Sequence, residues 1–118
     1  MYLSHGQLSV ANTSRDGTGT LVDIAVGMEK GTAVSSVHVV SAGTVALGRI
    51  RLFVFDGTNT RLYAEVAIAA LTVVVGTDPV SVSDLATPNL YLKSGWKLKA
   101  GTNNAEVFNV FATCQDGV

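Results

Sequence analysis

The chain has 118 residues, a single cysteine and a formal net charge of -1 drawn from eight basic and nine acidic side chains. One domain accounts for that length, and folding takes about two-thirds of the unfolded surface out of water. The near-neutral balance, with basic residues scattered along the sequence, offers no electrostatic hold on nucleic acid or an anionic membrane. Cys114 alone excludes an intrachain disulfide and a multi-cysteine metal site.

Charged residues make up 14% of the chain, against about 25% in ordinary domains. Hydrophobic residues reach 47%, more than one small core hides, so contacts with partners are the expected use of the excess. The opening MYLSHGQLSV has neither a basic region nor a long apolar run. No signal peptide is expected from it, and no apolar stretch approaches the ~20 residues of a membrane span. A soluble chain made in a cytoplasm is the expectation.

In chain order, residues 1 to 18 read as an arm or edge strand that runs into the turn formers Asn12-Thr-Ser-Arg-Asp-Gly-Thr-Gly, ahead of a domain from 19 to 118. From Thr20 to Val26, Val22, Ile24 and Val26 alternate with Leu21, Asp23 and Ala25, predicting a strand that stops before a turn at Glu29-Lys30-Gly31. Val34 to Ser41 predicts another, with Val37 and Val39 inward and Ser36 and His38 on the other side.

The segment GRIRLFVFDGTNTRLYAEVAIAA, Gly48 to Ala70, predicts a hairpin. With Gly57, Thr58 and Asn59 as a three-residue loop and Asn59 left-handed, Val54 faces Leu62, Leu52 faces Ala64 and Ile50 faces Val66. The other side then pairs Arg51 with Glu65 and Phe53 with Tyr63. Val73 to Val75 and Val80 to Val82 flank a turn that ends at Pro79, and Asp84 to Asn89 reads as a loop around Pro88. Tyr91 and Leu92, then Trp96, Leu98 and Ala100, form short strands split by Ser94-Gly95, with Lys97 and Lys99 outward.

The last strand, Glu106 to Cys114, sets Phe108, Val110 and Ala112 on one side and Val107 and Phe111 on the other. Both sides are apolar, so either a second layer of the chain or another copy should cover the second one. Val107 and Phe111 are therefore the candidate oligomer contacts. No window carries a helical stripe, and about eight short antiparallel strands at hairpin spacing predict an all-β sandwich or barrel.

Chemistry is sparse. His5 and His38 are the histidines, and no nucleophile-elbow, zinc-protease, P-loop or dinucleotide fingerprint is present. His38, set among valines, reads as a half-buried strand residue, and the chain as no enzyme. Asp16-Gly-Thr-Gly and Asp56-Gly-Thr-Asn could offer oxygens to calcium, but turn chemistry explains both and neither has the carboxylate density of an EF-hand loop. Trp96 fits core packing, with a sugar-stacking platform as the other reading. Lys93, Lys97 and Lys99 form a modest basic strip, read as a solvated face or a contact to an acidic protein surface. No cofactor and no metal is expected.

Three stretches, Asn12-Thr-Ser-Arg-Asp-Gly-Thr-Gly-Thr, Val45 to Asn59 around RLFVFDGTN, and KSGWKLKAGTNNAEVFNVFA from Lys93 to Ala112, resemble small structural proteins of tailed bacteriophages. The resemblance runs over roughly residues 11 to 117, and the members of that group with a role are capsid decoration, or cement, proteins. It implies a jelly-roll-like sandwich, a homotrimer on the outer surface of the head at threefold positions, the major capsid protein as partner, and no catalysis. The location implied is the virion, after synthesis in the host bacterial cytoplasm. Tyr2, Leu3 and Leu8 of the arm, with Arg15 and Asp16 of the turn, are the candidate capsid contacts. The competing reading is a tail, baseplate or fibre-tip module for host-surface carbohydrate, which requires Trp96, Tyr91 or Tyr63 exposed beside Asn and Asp side chains.

Overall fold

The computed structural model describes residues 2–41, 46–70 and 82–116, with the backbone alone over 82–89. Among the described residues eight strands follow one another: β1 (Tyr2–Leu8), β2 (Val22–Val26), β3 (Thr32–Ser41), β4 (Gly48–Phe55), β5 (Thr60–Ile68), β6 (Val82–Leu92), β7 (Lys97–Thr102) and β8 (Phe108–Asp116). They pair antiparallel in two four-stranded sheets, ordered β1-β8-β3-β6 and β2-β7-β4-β5. Apart from the β4–β5 hairpin, each strand passes to the opposite sheet, and this double-sheet order is that of a jelly roll. The fold class is therefore an all-β, single jelly-roll-like sandwich of eight short antiparallel strands. We call the sheet containing β8 sheet A and the sheet containing β4 sheet B.

The core lies between the sheets. Val34, Val37 and Val39 of β3 and Phe108, Val110 and Ala112 of β8 face Ile50 and Leu52 of β4 and Leu98 and Ala100 of β7, all buried. Full burial of each large apolar side chain contributes about 1.5–3 kcal/mol, and with one unpaired cysteine packing must carry the fold.

The first residues are an edge strand rather than a loose arm. All seven residues of β1 pair with β8, Tyr2 opposite Cys114 and Leu8 opposite Phe108. Alternation puts Tyr2, Ser4, Gly6 and Leu8 inward, weakly signalled in the sequence because Ser4 and Gly6 are small and polar or bare.

Among the described residues, bulges at three places, in β2, in the β4–β5 hairpin and at Ser35 of β3, shift side chains away from a strict two-residue period. In β2, Asp23 pairs with Lys99 and Ala25 with Leu98, so Ile24 is the extra residue. Ile24 and Ala25 are then both buried, and Val26, expected inward, is 39% exposed on the outer side. In the β4–β5 hairpin the expected pairs Ile50–Val66, Arg51–Glu65 and Leu52–Ala64 form, but Phe53 meets Leu62 and Val54 meets Arg61. Tyr63 is the extra residue. The connection is four residues long, Asp56 to Asn59, closed by the Asp56 N–H donating to the Asn59 carbonyl at 3.1 Å, and Gly57 takes the positive φ of 94°. Asp56 Oδ1 accepts the Thr58 and Asn59 N–H groups, a side-chain turn that competes with the simpler three-residue loop.

The third bulge corrects a loop. β6 continues through Asp84 to Asn89, and there residues 87–89 oppose the single β3 residue Ser35. Pro88 is tolerated because it sits in this excursion on an edge strand, where no ladder donor is required of it. The short strand expected at Val73 to Val75 and the turn up to Pro79 lie outside the described residues, and Val82 opens β6.

Candidate functional site

The outer side of sheet A carries the residues that the core does not take. Phe111 is at its centre, because β8 lies between β1 and β3 and the ladders set His5, Phe111 and His38 in one row across the three strands. The His5 and Phe111 rings are 5.9 Å apart, tilted by 48°. Leu3 is 62% exposed on the same side, and Val107, just ahead of β8, is 39% exposed. The chain's own second sheet packs on the opposite side of β8. Val107 and Phe111 therefore stay outside the sandwich, as the sequence pattern requires if a partner copy is to cover them.

Sheet B has a different outer side. The segment after β1 bridges in parallel to the end of β7, Ala11 beside Thr102, with the Asn12 N–H donating to the Thr102 carbonyl at 2.7 Å. It then crosses the sheet to β5, where a Cβ on Gly17 would meet the Thr60 carbonyl oxygen at 2.7 Å. Gly17 has a φ of 88°, so both its backbone shape and its contact need glycine. Asn12 is buried and holds the loop shut: its Nδ2 donates to the carbonyls of Thr18 and Thr20, each at 2.9 Å, and its Oδ1 accepts from the Ser14 N–H.

This loop roofs two side chains that strand alternation places on the outside. Arg51 is 6% exposed and Phe53 1%. Gly101 pairs with Arg51 from β7, and the space over it is filled by Leu21, whose Cδ2 would be 3.0 Å from a Cβ there. The sequence could not show this cover, which comes from a distant turn-rich segment.

Under and beside the loop, three arginines converge on Glu65. Its Oε1 takes Arg15 Nε and Arg51 Nε, each at 3.1 Å, and its Oε2 takes Arg49 Nη1 at 3.2 Å. Burial pushes the Glu65 carboxyl up, but the Arg51 hydrogen bond and the charges of Arg15, Arg51 and Arg49 outweigh it and hold the group below its ordinary value. Arg51 Nη1 is buried and, among the described residues, has no hydrogen-bond partner. Leaving such a buried donor unmatched costs about 1–3 kcal/mol, more where the group is charged.

Beside them, Asp23 of β2 accepts Lys97 at 3.4 Å and Lys99 at 3.3 Å from β7, and Lys99 Nζ lies 5.1 Å from the Phe55 ring centre. Five of the eight basic residues, Arg15, Arg49, Arg51, Lys97 and Lys99, thus share one side of the sandwich. They are clustered in space although scattered in sequence. The signal was the two-residue spacing of Arg49 with Arg51 and of Lys97 with Lys99, which aligns each pair on one strand side. The missing piece was that β4 and β7 are neighbours.

The proposed capsid contacts do not form one patch. Tyr2 and Leu3 belong to sheet A, whereas Arg15 and Asp16 lie over sheet B. Leu8 is a correction: at 2% exposure it is a core residue, held inward by pairing with Phe108, and no partner reaches it while β1 stays in place. Tyr2 donates its hydroxyl to Asp116 at 2.8 Å, and burial together with that bond raises its pKa.

Asp16 has its Oδ1 filled from within the loop, by the Ser14 hydroxyl and by the Thr18 N–H and hydroxyl. These bonds, Ser14's first, lower its pKa to about 2. Among the described residues no group of three or more His, Cys, Asp or Glu side chains gathers as a metal would need. A small cavity of about 40 Å³ opens between the sheets beside Leu8, Val22 and Ala100, with neither histidine in its lining. Trp96 is half-buried against the core with Lys93 Nζ 5.5 Å from its ring centre, while Tyr91 and Tyr63 sit on different sheets. The Tyr91 hydroxyl donates to the Lys30 carbonyl at 2.7 Å. Burial pushes the Cys114 thiol pKa up, as befits a core side chain.

Compared with known proteins, the chain matches no family model, no curated protein and no solved structure.

Proposed function

We propose that this chain is a capsid decoration, or cement, protein of a tailed bacteriophage: a homotrimer that binds the outside of the head through the major capsid protein and stabilises its lattice. The observation that carries the reading is Phe111 on the outer side of β8 in the middle of sheet A, turned away from the core between His5 and His38, with the exposed Leu3 on the same side. Further copies of the chain cover such a side most economically, and in a closed threefold ring every copy contributes the same two contact patches, one to each neighbour. The jelly-roll sandwich, the 14% charged composition and the sequence resemblance support the same reading.

The mechanism is mechanical rather than chemical. A head under internal pressure yields where capsomers meet, and a trimer that holds several capsid subunits at once adds contacts that are lost only if the lattice separates. Each contact can be weak, because the second and third arms bind at the high effective concentration set by the first. A rigid sandwich with short turns suits that task.

Mass analysis of heads and tails separated from purified particles tests the proposal. The chain is expected in the head fraction and released when the heads are stripped of their outer proteins. Recovery in the tail fraction alone overturns it in favour of the carbohydrate-binding reading.

A further inference from the structure

The outer side of sheet B holds more positive charge than its own acids balance. Five basic side chains, Arg15, Arg49, Arg51, Lys97 and Lys99, meet three acids there, Glu65, Asp23 and Asp16, which leaves an excess of two positive charges on a chain whose net charge is -1. Arg15 and Arg49 are open to solvent, their side chains 62% and 51% exposed, and the contacts to Glu65 run through one nitrogen of each. Arg51 is the fixed base of the group: 7% exposed in its side chain, tied to Glu65 through Nε, with Nη1 buried and, among the described residues, without a hydrogen-bond partner. The cluster is thus partly assembled around an acid, with donors left over.

We infer that the exposed guanidinium groups of Arg15 and Arg49, held beside the buried Arg51, are a docking site for a carboxylate side chain, an Asp or Glu presented by an acidic segment of a partner protein. The planar fork of a guanidinium matches a carboxylate in two-point fashion, and charge-assisted bonds of this kind are the strong ones. A single carboxylate fits the surroundings better than a polyphosphate chain. Asp16 next to Arg15, Glu65 within the cluster and Asp23 between Lys97 and Lys99 break up the positive surface and repel a continuous anionic backbone. The inference concerns sheet B and stands apart from the trimer and head assignment, which draws on sheet A.

The test is binding of a fluorescein-labelled peptide of alternating Glu and Gly to the full chain, followed by anisotropy, with a single-stranded oligonucleotide of equal charge as the second probe. The peptide is expected to bind saturably, to weaken as salt is raised, and to bind more tightly than the oligonucleotide. Arg15→Gln with Arg49→Gln together are expected to lower the affinity by about tenfold or more, the loss of one or two charge-assisted bonds. Lys30→Gln, on the β2–β3 turn, leaves it unchanged. Arg15 and Arg49 are exposed, and an unaltered thermal melt confirms that their variants fold. No saturable peptide binding, equal loss in the Lys30 variant, or tighter binding of the oligonucleotide each overturns the inference.

Discussion

Asp16 ties the loop over sheet B with its charge. Its carboxylate accepts from Ser14 and Thr18, and its pKa falls from 3.8 to about 2. A carboxyl whose folded pKa lies below its unfolded one stabilises the fold above the unfolded value and loses that contribution as pH falls through the folded one. The Asp16 contribution is therefore complete above about pH 4 and fades between there and about pH 2. Asp16→Asn keeps an oxygen acceptor but removes the charge. Its urea midpoint is expected to lie below that of the parent chain at pH 7 and to converge with it near pH 2; a constant offset at every pH would show that the charge is not what holds the loop. At the same scale, Phe108 and Trp96 separate two degrees of burial. Phe108 is 2% exposed between the sheets, and Phe108→Ala should cost about 3–5 kcal/mol. Trp96 packs on the core from its edge, so Trp96→Ala should cost less than Phe108→Ala in the same denaturant series, and the reverse order would place the tryptophan deeper than its half-burial implies.

Among the elements, β1 decides whether the first residues serve the fold or a partner. It contributes seven ladder pairs to β8 and the core residue Leu8. Deleting the first eight residues strips the edge from β8 and opens a gap beside Phe108, so the shortened chain is expected to lose cooperative unfolding and to aggregate through the exposed edge. A soluble truncation with an unchanged urea midpoint would make the strand dispensable. Much of this architecture was legible in the sequence. Alternation in Val34 to Ser41, in the hairpin around Asp56 and in the last strand marks strands with one side inward, and the pairs from Ile50–Val66 to Leu52–Ala64 follow from it. The bulges at Ile24 and Tyr63 were not legible, since one inserted residue leaves the pattern on each side intact and changes only which side follows. β6 hid behind Pro88, a residue that argues against a central strand but says nothing against an edge. The site was less visible still: Arg51 and Glu65 were placed opposite each other by register, but Arg15 joins them through a loop that no local pattern aims.

For the molecule as a whole, the two outer sides differ: sheet B gathers basic side chains, whereas sheet A sets an aromatic ring at its centre, and the proposed trimer draws on the latter. Phe111 lies outside the core cluster, in the row between His5 and His38. A charge placed there meets water in the monomer but is buried in a trimer that uses this side, where an unpaired carboxylate is costly. Phe111→Asp is therefore expected to fold, with a thermal melt that no longer depends on concentration, and to sediment as a single chain of about 12.2 kDa. The parent chain at micromolar concentration should sediment at about three times that mass, with a melt that rises with concentration because assembly stabilises the folded state. A parent chain that stays monomeric would remove the outer side of sheet A as a self-contact in solution and leave trimer formation to the head surface. A Phe111→Asp chain that remains trimeric would move the interface elsewhere, and the exposed residues of sheet B would then have to supply it.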